Sequence, residues 1–327
     1  MNAQSVRQED PIMPLGSSHK KESYFKQYWF LYLFLIPIIS LAILFNFLPM
    51  SALFIAFKDV DLFAGNGILD SLFKSNDVGW LHFHRLFREP AVWNAFKNTL
   101  IISAYKIVFL FPLPILLAVL LNELTSIVYK RISQTLLYLP HFLSWVVVTA
   151  LFVQILGPYG VINNMLRDWG LISRSVQFFG NAGLFRPLIV ISSGWKEVGW
   201  SAIIYLAAIT GINPQLYEAA KIDGASKIQR IAYITVPSIS STIAMLFTLR
   251  LGSILNADFD QIFNMYGPSV YSTGDIIGTY VYRMSFQSAL PDYGFSTAVG
   301  LFNSITAFIF IMGGNFLSRK FFKKGLW

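Results

Sequence analysis

The chain has 327 residues and no cysteine, so it forms no disulfide and offers no thiolate to a metal. Charge is scarce as well: Asp, Glu, Lys and Arg make up 13% of the residues, about half the share of an ordinary soluble domain. No basic surface interleaved with aromatic residues is present, so nucleic acid is not an expected partner, and the formal charge of +8 needs another origin. A removable secretion leader is not expected either. The first apolar run begins after 27 residues that include Glu9, Asp10 and Glu22, and no small-residue cleavage pattern follows it.

What is present is apolar: 55% of residues are hydrophobic and 16% aromatic. A helix needs roughly 20 apolar residues to cross a bilayer core at 1.5 Å rise per residue. Six segments qualify, near 28–48, 98–122, 135–156, 186–210, 237–256 and 295–317. No charge falls between Tyr28 and Phe57, between Ile132 and Leu166, or between Tyr293 and Ser318. The expected fold class is an all-α integral membrane protein with six transmembrane helices.

Lys and Arg placement gives the orientation. Arg7, Lys20, Lys21, Lys26, Lys130, Arg131, Lys221, Lys227, Arg230, Arg319, Lys320, Lys323 and Lys324 all fall on one side, against nine basic residues on the other. Both termini are therefore expected in the cytoplasm, and the bias accounts for the positive charge. The expected organisation is a cytoplasmic tail over 1–27, a first span and external loop over 28–97, a five-helix core over 98–318, and a cytoplasmic tail over 319–327. Within the core, 211–236 is a cytoplasmic loop.

That loop contains 218-EAAKIDGASKIQRIAYITVP-237, which is too organised for a plain connector. Asn213 can cap a helix whose first residue is Pro214, where a missing N–H costs nothing. Gly224 suits the left-handed residue that ends it. Ser226 and Gln229 stand at capping-box spacing and open a second helix, and Pro237 sits at the foot of the fifth span. Two readings fit this pattern. One is an amphipathic hairpin lying on the lipid surface; the sharper one is a short helix presented to a soluble partner.

Glu218, Ala219, Ala220, Asp223, Gly224, Ala225 and Pro237 together resemble the EAA loop of permease subunits in bacterial ATP-binding-cassette (ABC) importers. The stretches 138-YLPHFLSWVVV-148, 195-WKEVGWSAIIYLAAITGINPQLYEAA-220, 249-LRLGSILNADFDQIFNMYGPSVY-271 and 275-DIIGTYVYR-283, with Gly325, Leu326 and Trp327, are similar to the carbohydrate-uptake branch of type I importers. Within it, they look most like the subgroup serving complex oligosaccharides and polysaccharides, such as the permeases of alginate importers. The resemblance covers about residues 80 to 327 and implies the type I importer transmembrane fold. It also implies a coupling helix at Tyr217, Glu218, Ala219, Ala220, Asp223, Gly224 and Ala225 that docks on an ATP-hydrolysing subunit. The implied partners are a second, non-identical permease, two ATPase subunits that carry ATP and Mg, and a periplasmic or extracellular sugar-binding protein. Residence in the bacterial cytoplasmic (inner) membrane follows.

No catalytic residue and no cofactor of the chain's own is expected. The nearest approach to a phosphate loop, 194-GWKEVGWS-201, has Trp200 where the lysine must stand and lies in an apolar span. His82 and His84 could share one face of an external strand, but two histidines without a third ligand give no metal site. His141, beside Pro140, reads as a hydrogen-bonded group.

Lys106, Lys196, Glu197 and Arg250 fall inside apolar spans, where an ionised side chain costs about 3 kcal/mol near the centre. Counting residues places all four from roughly 9 to 17 Å below the outer boundary. In one reading Glu197 neutralises a cation while Lys106 and Arg250 snorkel outward. In the other they line a wetted, positive cavity that draws in an anionic sugar chain, with Trp145, Trp195 and Trp200 offering faces to sugar rings. Beyond the fifth span, Asn256, Asp258 and Asp260 begin an irregular external stretch, a gate, docking surface or cap. The expected activity is ATP-driven import of oligo- or polysaccharide by alternating access. The alternatives are a permease for neutral oligosaccharides, a channel, and a secondary transporter, for which no repeat between the halves is visible.

Overall fold

The computed structural model describes residues 24–252, 255 and 258–322. Asn256, Gly325, Leu326 and Trp327 lie outside the described residues, as does most of the 1–27 tail. The chain divides into two compact units, residues 1–53 and 54–327. The first unit holds helix α1, Tyr24–Ala42, which continues through a wide turn at Ile43–Phe47 into a last helical turn at Leu48–Met50.

The second unit opens with the segment that the sequence places outside the cell. Two short antiparallel strands, β1 (Lys58–Asp59) and β2 (Asn76–Asp77), are followed by helix α2, Leu81–Arg88. His82 and His84 therefore sit on a helix, not a strand, and point to different sides of it. The buried His82 donates from Nε2 to the Lys58 carbonyl at 3.0 Å, which commits that nitrogen to structure.

Helix α3, Pro90–Tyr105, starts eight residues before the expected span, with Pro90 at its first turn. It continues through a π turn at Lys106–Leu110 into α4, Pro112–Asn122. Pro112 has no N–H to return to Val108, so the ladder widens there. The expected third span, 135–156, is not one helix. Helix α5, Ile127–Tyr138, ends in a tight 3₁₀ turn at Leu139–Phe142, and Ser144 caps a new helix, α6, Trp145–Leu156, by accepting from the Val147 N–H at 3.3 Å. Pro140 and the Ser144 cap account for the break.

Helix α7, Ala182–Thr210, runs 29 residues without interruption. It packs closely on α5 at Gly199, where a Cβ would stand 2.0 Å from the Leu137 carbonyl oxygen. The hairpin follows as α8, Pro214–Ile222, and α9, Lys227–Arg230. The chain then bends by 62° between Lys227–Ser238 and α10, Ser240–Gly252. The stretch after it is more regular than expected, with short helices α11 (Phe259–Met265), α12 (Tyr271–Gly274) and α13 (Ile277–Tyr282). Helix α14, Tyr293–Phe322, completes the unit and packs along α10.

Among the described residues, four helices are long and apolar enough to cross a membrane, or five if the bent pair counts as one. The expected count of six is not met because α7 falls short in hydropathy. Ser192, Ser193, Gly194, Lys196 and Glu197 interrupt its apolar run.

Candidate functional site

Two polar features stand out against this apolar background. The first is a cavity of about 490 Å³. Helix α7 contributes Ser193, Glu197, Trp200 and Tyr205 to its wall, α6 contributes Trp145, α10 contributes Arg250, and Asp258 closes one side.

The intramembrane charges are organised in pairs. Lys106 is only 2% exposed, so the expectation that it snorkels outward is wrong; the π turn directs it inward. Its ammonium donates to Asp258 Oδ2 at 2.7 Å and to Gln261 Oε1 at 2.6 Å. Gln261 in turn donates to the Ile189 carbonyl at 2.7 Å and to Ser192 Oγ at 2.8 Å. Asp258, expected in an external gate, is the counter-ion of a buried lysine, and it sits in the left-handed region at φ 52°. Aspartate tolerates that region better than most side chains do. Asp260 is exposed on the first turn of α11.

Lys196 donates to the His141 carbonyl at 2.5 Å and pairs with Glu197 Oε1 at 3.2 Å, so neutralisation of one cation by Glu197 is correct. Lys196 and Lys106 lie behind the cavity wall, whereas Arg250, Glu197 and Asp258 are on it. Counting all five groups, three cations face two carboxylates, a smaller positive excess than expected, because Asp258 belongs here. Trp145 and Trp200 line the cavity; Trp195 does not, and packs edge-on against Phe152 at 5.9 Å.

The second feature is the α8–α9 hairpin. Asn213 accepts from the Gln215 N–H at 3.0 Å with Pro214 following, and both bonds of the Ser226–Gln229 capping box are made, at 3.3 and 2.7 Å. Between them the Ala225 N–H donates to the Ala220 carbonyl at 2.8 Å and the Gly224 N–H to the Lys221 carbonyl at 3.1 Å, with Gly224 at φ +78°. This is the Schellman ending, and its left-handed residue is a glycine because it has no Cβ. Replacing Ser226 by alanine should remove about 1 kcal/mol of local stability. Hydrogen exchange at the Gln229 and Arg230 amides should accelerate about fivefold.

Tyr217 points inward, its hydroxyl 2.9 Å from Thr235 Oγ1. Glu218, Ala219, Asp223 and Gly224 are exposed, and Ala220 and Ala225 half-buried. Ala220, Asp223, Gly224 and Ala225 line a groove of about 290 Å³ with Gln229, Arg230 and Tyr233. Two large apolar side chains at the hairpin, Ile222 and Ile228, are exposed at 87% and 79%, and the sequence reading singled out neither by itself. The available signal was an apolar residue at each end of the Asp223–Lys227 connection.

A family model described as binding-protein-dependent transport system inner membrane component matches residues 111–321. The chain is 39% identical to Protein LplB of Bacillus subtilis (strain 168) over 321 residues, covering 98% of both chains. It is 40% identical to the polygalacturonan/rhamnogalacturonan transport system permease protein YteP of the same organism, covering 91% of this chain and 90% of the relative. Among solved structures, a chain of a bacterial ABC transporter involved in the import of the acidic polysaccharide alginate is 41% identical and superposes with a TM-score of 0.81, covering 91% of this chain and 98% of that one. The type I permease fold follows from these matches. The chain belongs to the family of binding-protein-dependent transport system inner membrane components.

Proposed function

We infer that this chain is a membrane permease subunit of an ATP-driven importer that carries oligo- or polysaccharide into the cytoplasm. The observation that carries the reading is the Gly224-turned hairpin in a chain of this family; relatives named for alginate and for polygalacturonan/rhamnogalacturonan support the cargo. Helix α7 is the sixth crossing, its polar stretch covered by α5, α6 and α10 instead of lipid. Both termini and the hairpin lie in the cytoplasm.

There the hairpin docks on an ATPase subunit through Glu218, Ala219, Asp223 and Gly224, with Ile222 and Ile228 as apolar anchors. An external binding protein delivers sugar, a second, non-identical permease completes the path, and two ATPase subunits hold ATP and Mg. When those subunits close, the hairpins move and the cavity changes the side it faces.

Arg250, on the cavity wall, favours an acidic sugar chain, with Trp145 and Trp200 against the rings. A hydrogen bond to a charged group is worth about 1.5–3 kcal/mol. Arg250→Gln should therefore slow uptake of a uronate oligosaccharide about tenfold or more and leave a neutral one little changed. Lys196→Gln acts from behind the cavity wall, through Glu197 and Trp145, and should have a smaller effect. If both variants take up the acidic sugar as the unaltered protein does, these cations do not recognise the charge of the cargo.

A further inference from the structure

Three residues on the cavity wall, Trp145, Glu197 and Trp200, are held from behind by two that do not line it, His141 and Lys196. The His141 ring lies flat on the Trp200 indole, with centroids 4.5 Å apart and planes 1° from parallel. Phe142 packs edge-on against the same indole at 5.4 Å. His141 Nδ1 meets Glu197 Oε2 at 2.8 Å. A carboxylate only accepts, so Nδ1 carries a proton. Lys196 takes the other carboxylate oxygen, donates to the His141 carbonyl, and sits 5.5 Å from the centre of the Trp145 ring. Both oxygens of Glu197 are thereby engaged, and its orientation is fixed.

His141 belongs to the turn between α5 and α6, which breaks what would otherwise be one span. The break lets an imidazole reach across to α7. An aromatic plane held in place before ligand arrives presents its face without a further ordering cost. Trp200, 40% exposed and pinned by His141 and Phe142, has that character.

We propose that His141 is a positioning residue for sugar recognition, holding Trp200 and Glu197 so that an indole face and a carboxylate meet the rings and hydroxyls of a saccharide in the cavity. The proposal rests on the reading of the cavity as the sugar path. The two are separable by experiment. His141→Phe keeps the stack and loses the bond to Glu197, whereas His141→Gln loses the stack and keeps a donor. Trp200→Ala tests the cavity itself.

Binding of a uronate tetrasaccharide to the purified permease–ATPase complex, without binding protein, would be measured by calorimetry, together with basal ATP hydrolysis and melting temperature. His141→Gln should weaken binding about fivefold or more, about 1 kcal/mol. His141→Phe should weaken it less. Trp200→Ala should weaken binding at least as much as His141→Gln. Weakened binding in Trp200→Ala with unchanged binding in both His141 variants overturns the proposal and spares the cavity. A fall in basal hydrolysis or melting temperature in the His141 variants without a change in affinity makes His141 purely structural and also overturns it. No effect of Trp200→Ala, or no binding at all, removes the cavity reading and the proposal with it.

Discussion

Valine in place of Gly224 should cut sugar-stimulated ATP hydrolysis about tenfold or more while the membrane bundle stays folded. Gly224 sits at φ +78°, and a Cβ there would meet nothing within 4 Å, so the penalty is conformational and not a clash. Holding a residue in a sparsely populated backbone region costs about 1–3 kcal/mol, and a β-branched side chain is among the worst suited to it. Helix α8 buries no residue of its own, so little packing is available to offset that cost. The turn opens and its two bonds, from the Ala225 and Gly224 amides, are lost together. Asparagine enters the left-handed region more readily, so Gly224→Asn should retain most of the activity. The pair of variants separates backbone conformation from side-chain bulk: equal loss in both would mean that contact with the ATPase, and not the turn, requires glycine.

The second large effect is expected at Lys106. Its ammonium holds Asp258 and Gln261, and through Gln261 the Ile189 carbonyl and Ser192, so one buried cation ties the π turn to α7 and α11. Lys106→Met leaves a carboxylate and an amide oxygen without that partner; the carboxylate is partly exposed on the cavity wall, so the cost is about 1–3 kcal/mol. Thermal unfolding of the purified complex should fall for Lys106→Met. Adding Asp258→Asn should recover much of the loss, because the orphaned charge is then gone. A single variant as stable as the unaltered protein would mean that the ammonium does not carry this junction.

Local features of this chain were legible in its sequence and distant ones were not. Asn213 with Pro214, Gly224, and Ser226 with Gln229 each act within a few residues of themselves, so their spacing already specifies the hairpin. The pairing of Lys106 with Asp258 spans 152 residues and that of His141 with Glu197 spans 56, and neither leaves a periodic mark. Composition misled in one place. The apolar run from Ile132 to Leu166 masked a break that Pro140 and Ser144 signal locally, whereas the helix expected at 186–210 is present within a continuous 29-residue helix. Tyr217, assigned to docking by resemblance, has its hydroxyl hydrogen-bonded to Thr235, a contact 18 residues away that the motif does not reveal.

Because the chain has no cysteine, a single one placed on the hairpin is a clean reporter. Lys221 is exposed on the last turn of α8, so Lys221→Cys can carry a short cross-linker in the assembled importer. The account predicts a cross-link to an ATP-hydrolysing subunit, changed in yield by ATP, with the thiol shielded from membrane-impermeant reagents added outside intact cells. Labelling of that cysteine from outside, or an assembled complex in which it reaches no ATPase, would contradict the account.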